Sequence, residues 1–293
     1  MRVAVFGANG QVGRELAAAA TRNTGINVDF ADRARADLGV AGAAADFIRA
    51  ARPDAVINAA AWTAVDKAET EKSSAFRINA DAVREIAQVC AQTGARLVHI
   101  STDYVFAGDG DTPLTEDAPT GPLGVYGASK LKGEDAALGA LPDACILRTS
   151  WVYSLHGSNF VKTMIRLAHQ RDEISVVADQ IGGPTPAREI AQACFAIAAK
   201  TDGPCGVFHF QGAPPASWAD FAEAIFAAAG LQTKVRKITT ADFPTPARRP
   251  LFTVLDCKKI HNAYGIVQPD WRRDLKITAP RLLDAYRKEA AGQ

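Results

Sequence analysis

The first thirteen residues constrain the fold most. VAVFG at 3–7 is a short apolar run of β type, and GANGQVG at 7–13 leads from it into a helical pattern that reaches about Ala20. Gly7, Gly10 and Gly13 therefore stand between a strand and a helix. Each has a physical use there. One glycine makes the tight turn, one lets backbone approach a pyrophosphate, and one lets the helix pack closely on the strand. The helix N-terminus then points its free N–H groups at the phosphates. The spacing is GxxGxxG rather than GxGxxG. A purely structural turn could use the same residues, but the position of this one, in the first strand–helix junction, favours a dinucleotide.

The rest of the first half repeats that alternation. Strands are expected at 26–31, 54–60, 95–102 and 143–152, and helices at 43–51, from Ala75 to Thr93 and after Tyr126. Short apolar strands separated by helices imply βαβ units in a doubly wound, Rossmann-type parallel sheet. The second half is less regular, with helices expected near 158–170, 187–199, 217–229 and 278–290, and β-type runs at ISVVAD, GVFHFQG and KVRKIT. This divides the chain into a dinucleotide-binding domain at 1–152 and a smaller α/β substrate lobe at 153–293, with room for the chain to cross between them.

Bulk properties exclude several functions. With a net charge of +1 and interspersed signs, the chain carries no nucleic-acid footprint or polybasic membrane patch. Its apolar segments, such as 190–199, are far shorter than a membrane span. MRVAVFG lacks a secretory layout and runs straight into a strand pattern. Five scattered cysteines without a CxxC fit a reduced cytoplasmic protein. The five histidines, His99, His156, His169, His209 and His261, share no ligand spacing, so no zinc site is expected. His99 reads as a buried structural residue, Cys145 as core, and Trp218 and Trp271 as packing residues.

Two further stretches carry chemistry. FADRARADL places Asp32, Arg33 and Arg35 after the second strand. An arginine there can hold the 2′-phosphate of NADPH, whereas an aspartate favours the free ribose of NADH, so the signals conflict. VYGASKLKGE at 125–134 sets Tyr126 four residues before Lys130, at what looks like the start of a surface helix. Residues four apart share a helix face. An ammonium beside a phenol lowers the phenol's pKa and tunes it as a general acid. Thr102, ending LVHIST, adds a hydroxyl at the carboxyl edge of the sheet. A spacing of YxxxK is common by itself. Together with the glycine turn and STDYVF it points to carbonyl reduction with a nicotinamide.

The chain resembles the extended short-chain dehydrogenase/reductase superfamily and, within it, the dTDP-4-dehydrorhamnose reductases. The matching segments are FGANGQVGREL, NAAAWTAVDKAE, STDYVFAGDG, PLGVYGASKLKGE, LRTSWVY, NFVKTM, DQIGGPTPA and PTPARRP, which span nearly its whole length. The resemblance implies a catalytic set of Thr102, Tyr126 and Lys130. It implies that Gly7, Asn9, Gly10, Gln11 and Val12 cradle the cofactor phosphates, that Asp37 and Leu38 flank the adenine, and that Ala60, Ala61 and Thr63 line the cofactor cleft. Val65, Asp103, Tyr104 and Trp151 would surround a dTDP-4-keto-6-deoxy sugar. Asn159, Lys162, Arg248 and Arg249 are expected at its diphosphate, because two phosphates want cations and amides. Some members form magnesium-bridged homodimers. Glu15 and Glu189 stand at two of those ligand positions, but Arg281 falls about where the third belongs and Asp284 lies beyond it.

Three other readings compete. A dehydratase or epimerase of the same superfamily is one, but dehydratases carry an Asp–Glu pair after the threonine, and here Asp103 is followed by Tyr104. A non-catalytic regulatory subunit, like the methionine adenosyltransferase β subunit, is the second. A structural interaction protein is the third. Retention of Thr102, Tyr126, Lys130 and the glycine turn favours an enzyme.

Overall fold

Six parallel strands form the centre of the computed structural model, which describes residues 1–22 and 25–291. The chain lays down β1 (Arg2–Phe6), α1 (Gln11–Ala20), β2 (Asn27–Ala31), α2 (Ala43–Ala51) and β3 (Ala55–Asn58). Next come α3 (Val65–Ala68), α4 (Lys72–Phe76), a π-turn at Arg77–Asp81 and α5 (Ala82–Thr93). Then β4 (Arg96–Thr102), α6 (Val125–Ala140), β5 (Cys145–Thr149), β6 (Val152–Tyr153), α7 (Phe160–Ala168) and β7 (Glu173–Val177) follow. Two short strands, β8 (Ile181–Gly182) and β9 (Thr185–Pro186), precede α8 (Ala187–Ala199) and β10 (Gly206–His209). The chain ends with β11 (Ala216–Ser217), α9 (Trp218–Ala229), β12 (Lys234–Ile238), α10 (Lys258–Tyr264) and α11 (Trp271–Ala291).

The sheet order is β10-β5-β4-β3-β1-β2. Val3, Ala4, Val5 and Phe6 are all buried, as are Ala55, Val56 and Ile57, because helices cover both faces. That is why these strands read as continuous apolar runs. The order reverses between β1 and β3, and their carboxyl ends frame the crevice where doubly wound sheets bind ligands. The Rossmann-type α/β class read from the sequence is the fold observed.

Three features differ from the sequence reading. β10 lies in the main sheet, parallel to β5, so the division at residue 152 runs through one sheet. The chain leaves that sheet after β5 and returns to it. The second lobe is built from α7, β7, α9, β12 and α11 around Tyr153, Ile165, Phe221, Trp271 and Leu282. Second, α11 begins at Trp271 rather than near 278 and continues through Pro280. Its buried residues Trp271, Leu275, Ala279, Leu282 and Leu283 recur at helical spacing, and that continuous stripe outweighs the proline. Third, α6 is not a surface helix. Lys130 and Glu134 from its charged run are buried. Gly127 and Gly133 let it press close, since an added Cβ would lie 2.2 Å from the Tyr104 carbonyl oxygen and 2.0 Å from that of Asn79. Glu134 is buried against Arg148, which donates to it at 2.7, 3.0 and 3.1 Å. Breaking such a buried pair from one side costs about 3–5 kcal/mol.

Candidate active site

One cavity of about 750 Å³ runs along the carboxyl ends of β1, β3, β4 and β5. At one end lies the glycine turn. Gly7 has φ +85°, and a Cβ there would sit 2.7 Å from the Ala60 nitrogen. A Cβ on Gly13 would sit 2.1 Å from the Gly7 carbonyl oxygen, so the turn closes only because both lack side chains. α1 starts at Gln11 with no side-chain cap, which leaves first-turn N–H groups free for an anion. Gly7, Asn9, Gly10, Gln11 and Val12 all line the cavity, as do Asp37, Leu38, Ala60, Ala61 and Thr63. This cradle of close backbone and uncapped N–H groups fits a dinucleotide.

The charged residues after β2 separate in space. Asp32 accepts from the Ala34 and Arg35 backbone N–H groups, each at 3.1 Å, which closes the turn. Arg35 turns away from the cavity, donating to the Phe30 carbonyl at 2.7 Å and lying over the Phe47 ring. Arg33 lines the cavity with its side chain 78% exposed and only a 3.9 Å approach to Asp37. Arg33 is thus an exposed cation on the cavity wall.

At the other end stand Thr102, Tyr126 and Lys130, all on the cavity wall. Thr102 closes β4, and its hydroxyl donates to Asp103 at 3.0 Å. Tyr126 and Lys130 come from the first turns of α6, whose N-terminus has Gly124 in place of a capping side chain. Glu69 supplies the missing acceptor, taking the Val125 N–H at 2.8 Å. Lys130 Nζ donates to the Ile100 carbonyl at 2.6 Å and lies 3.3 Å from His99 Nε2. Burial pulls the Lys130 amine down to about 8, with the charge of Glu134 opposing. Tyr126 is half-buried overall, but its hydroxyl is deep, and burial pushes the phenol up to about 12, opposed by a hydrogen bond with Thr102. The lowered phenol pKa expected from the Tyr–Lys spacing is therefore not found, because burial and the nearby charge of Asp103 raise it. His99 is fully buried, and its burial and the neighbouring Lys130 hold it well below the ordinary histidine range.

The substrate end is framed by Val65, Asp103, Tyr104 and Trp151, which line the cavity. Burial raises Asp103 to about 6, opposed by the nearby Thr253 hydroxyl and by the hydrogen bond that Thr102 donates. Asp103 Oδ2 and Thr149 Oγ1 are buried without a hydrogen-bond partner and belong to cavity-lining residues. Such atoms await a ligand's donors. Thr149, Ser150 and Trp218 also line the cavity, beyond the residues read from the sequence. Thr149 ends β5 and Ser150 follows it within LRTSWVY, and the rule that ligands sit at the carboxyl ends of strands would have found them. Nothing in the sequence signals Trp218.

The four residues expected at the diphosphate do not line the cavity. Asn159 caps α7 and donates to Gln11 at 3.0 Å, joining the second lobe to the glycine turn. Arg249 is bound to Asp66 at 2.9 Å, to the Ala247 carbonyl at 3.0 Å and to the Thr245 hydroxyl. Arg248 is exposed and Lys162 is half-buried on α7. Glu15, Glu189 and Arg281 meet in a separate cleft of about 370 Å³ with Arg188 and Asp274. Among the described residues, no three His, Cys, Asp or Glu side chains are grouped to hold a metal ion, and no helix is long and apolar enough to cross a membrane.

A glycine turn opening into the same cleft as a Thr–Tyr–Lys set is the arrangement of a dinucleotide-dependent oxidoreductase of the short-chain dehydrogenase/reductase type. Comparison with known proteins narrows this class. The chain belongs to the RmlD substrate binding domain family, whose sequence signature matches residues 1–283. It is 44% identical over 285 residues to a dTDP-4-dehydrorhamnose reductase of Sinorhizobium fredii, covering 94% of this chain and 96% of that protein. The crystal structure of a dTDP-4-dehydrorhamnose reductase from Clostridium acetobutylicum superposes with a TM-score of 0.91 at 37% identity, over 96% of this chain and 99% of that one. The Bacillus anthracis enzyme, solved in complex with NADP, gives 0.88 at 35%, over 94% and 98%.

Proposed function

We propose that this protein is a dTDP-4-dehydrorhamnose reductase, which reduces the C4 ketone of dTDP-4-dehydro-L-rhamnose to dTDP-L-rhamnose in the cytoplasm. NADPH is the favoured cofactor and NADH a usable one. The observation that carries this reading is the single cleft joining the glycine turn to Thr102, Tyr126 and Lys130, in a chain so similar to curated reductases over its full span. A nicotinamide cofactor held by the glycine turn would supply the hydride for the sugar carbon. Tyr126 donates its phenolic proton to the ketone oxygen, and Thr102 orients that oxygen through its hydroxyl. Lys130, as an ammonium, offsets the phenolate charge left on Tyr126, which then regains a proton from solvent. In this reading Asp103 Oδ2 accepts from one sugar hydroxyl and Thr149 Oγ1 donates to another.

Elimination of water from a hexose needs a carboxylate pair on the substrate, and Tyr104 takes the place of the second carboxylate. Purified protein mixed with dTDP-4-keto-L-rhamnose should therefore oxidise one NAD(P)H per ketone reduced. It should leave dTDP-glucose unchanged. Conversion of dTDP-glucose to a 4-keto-6-deoxy sugar without net NAD(P)H use would replace the reductase reading with a dehydratase one.

A further inference from the structure

Trp151 is held from both sides. Its backbone has φ +45°, a left-handed conformation that a bulky residue adopts only when its surroundings impose it. On one face its indole lies flat on Trp218, with centroids 3.5 Å apart and planes at 8°. On the other face lies the backbone of Gly182, where an added Cβ would fall 2.7 Å from Cε2 and 2.8 Å from Nε1 of the indole. The two jaws of this clamp are tied together. β8 and β11 pair antiparallel, with Gly182 opposite Ala216 and Ile181 opposite Ser217. Ser217 then caps α9 in a reciprocal box with Asp220, fixing Trp218 as the first helical residue. Phe160 packs on Trp218 with centroids 4.6 Å apart. Both tryptophans line the cavity beside Ser150.

We propose that Trp218 and Gly182 are positioning residues that lock Trp151 edge-on at the sugar end of the cleft, and so set the affinity for the hexose. This rests on the reductase reading above. With both faces covered, Trp151 cannot serve as a stacking platform for the nucleobase. It offers an edge, which carries the positive part of the ring's charge distribution and suits an oxygen-rich sugar. The strained backbone is the cost of presenting that edge.

The test uses the full chain with Trp218→Ala, Trp218→Phe and Gly182→Ala, whose added methyl must displace the indole. Binding of dTDP-L-rhamnose and of dTDP is measured by calorimetry, and circular dichroism reads the coupled signal of the stacked pair. Trp218→Ala and Gly182→Ala should weaken dTDP-L-rhamnose by roughly five- to tenfold, the usual worth of an aromatic pair. Binding of dTDP and of NADPH should stay within about twofold, the stacked-pair signal should be lost in Trp218→Ala, and Trp218→Phe should recover most of the affinity. Equal weakening of dTDP and dTDP-L-rhamnose would overturn the proposal, as would loss of the signal with sugar affinity unchanged. If Trp218→Ala does not fold, Gly182→Ala and Trp218→Phe carry the same comparison. An inactive wild type that still shows the binding split would refute the reductase reading and leave the clamp standing.

Discussion

Lys130 Nζ sits 2.6 Å from the carbonyl oxygen of Ile100, on the strand that ends in Thr102. Lys130 is thus anchored to the sheet, and α6 delivers Tyr126 from one turn earlier. This backbone carbonyl belongs to the strand, so the sheet itself holds the ammonium. Burial is the largest influence on the proton affinity of both the phenol and the amine.

The first expected outcome concerns pH. Lys130, lowered to about 8, loses its charge as pH rises through that value, whereas Tyr126, raised to about 12, keeps its proton well beyond it. Reduction needs the phenol protonated and the ammonium charged, so kcat should fall as pH climbs through about 8, and the lysine sets the limit. Lys130→Met should lose that break together with most of the activity. A profile flat far above it, with hydride transfer shown to be limiting by a deuterium isotope effect, would remove Lys130 from this role.

Replacing Tyr126 by Phe deletes the proton donor and keeps the ring that meets Tyr104 edge-on, with centroids 5.6 Å apart. A positioned general acid is worth roughly 10²–10⁴-fold. Turnover should drop by about that factor while NADPH binding, followed by fluorescence titration, stays close to wild type. Near-normal turnover would exclude Tyr126 as the acid.

How much of this was legible in the sequence depended on what each residue's neighbours were. The glycine turn was readable because its spacing and its place after β1 are local. The strands of the sheet were readable because they are buried on both faces. α6 misled, because its buried face includes Ser129, Lys130 and Glu134, which are satisfied by Asn79, the Ile100 carbonyl and Arg148 rather than by apolar periodicity. The return of β10 to the sheet was hidden because strand pairing is a long-range fact. Arg249 was expected to face a diphosphate, and its pairing with Asp66 across 183 residues carries no local signal.

The next expected outcome concerns Arg33 and cofactor choice. Arg33 lines the cavity and is mostly exposed, while Asp32 is engaged with the backbone of its own turn. Both cofactors should work, with NADPH modestly preferred. Arg33→Ala should raise KM for NADPH and leave that for NADH nearly unchanged, since only NADPH carries the extra phosphate. Exposure and solvent screening keep the effect modest, on the order of tenfold or less. Equal losses with both cofactors would show that Arg33 contacts a part they share.

The last expected outcome sets stability against binding at Asp103. Its carboxyl is buried, raised to about 6, and has one oxygen without a partner. A folded pKa above the unfolded value means that the protonated group contributes stability below about pH 4, and that this is lost as pH rises through about 6. At neutral pH the folded protein therefore holds a charge it would be more stable without, by up to about 3 kcal/mol for a shift of two units. Asn at this position keeps an oxygen for the Thr102 hydroxyl and carries no charge. Asp103→Asn should melt higher than wild type near neutral pH and lose that advantage near pH 4. Its KM for the nucleotide-sugar should rise, because a carboxylate oxygen that would accept a sugar hydroxyl becomes an amide nitrogen that donates. A variant no more stable at neutral pH would mean that the Asp103 charge is better solvated than its burial implies. Unchanged KM would mean that its free oxygen does not meet the sugar.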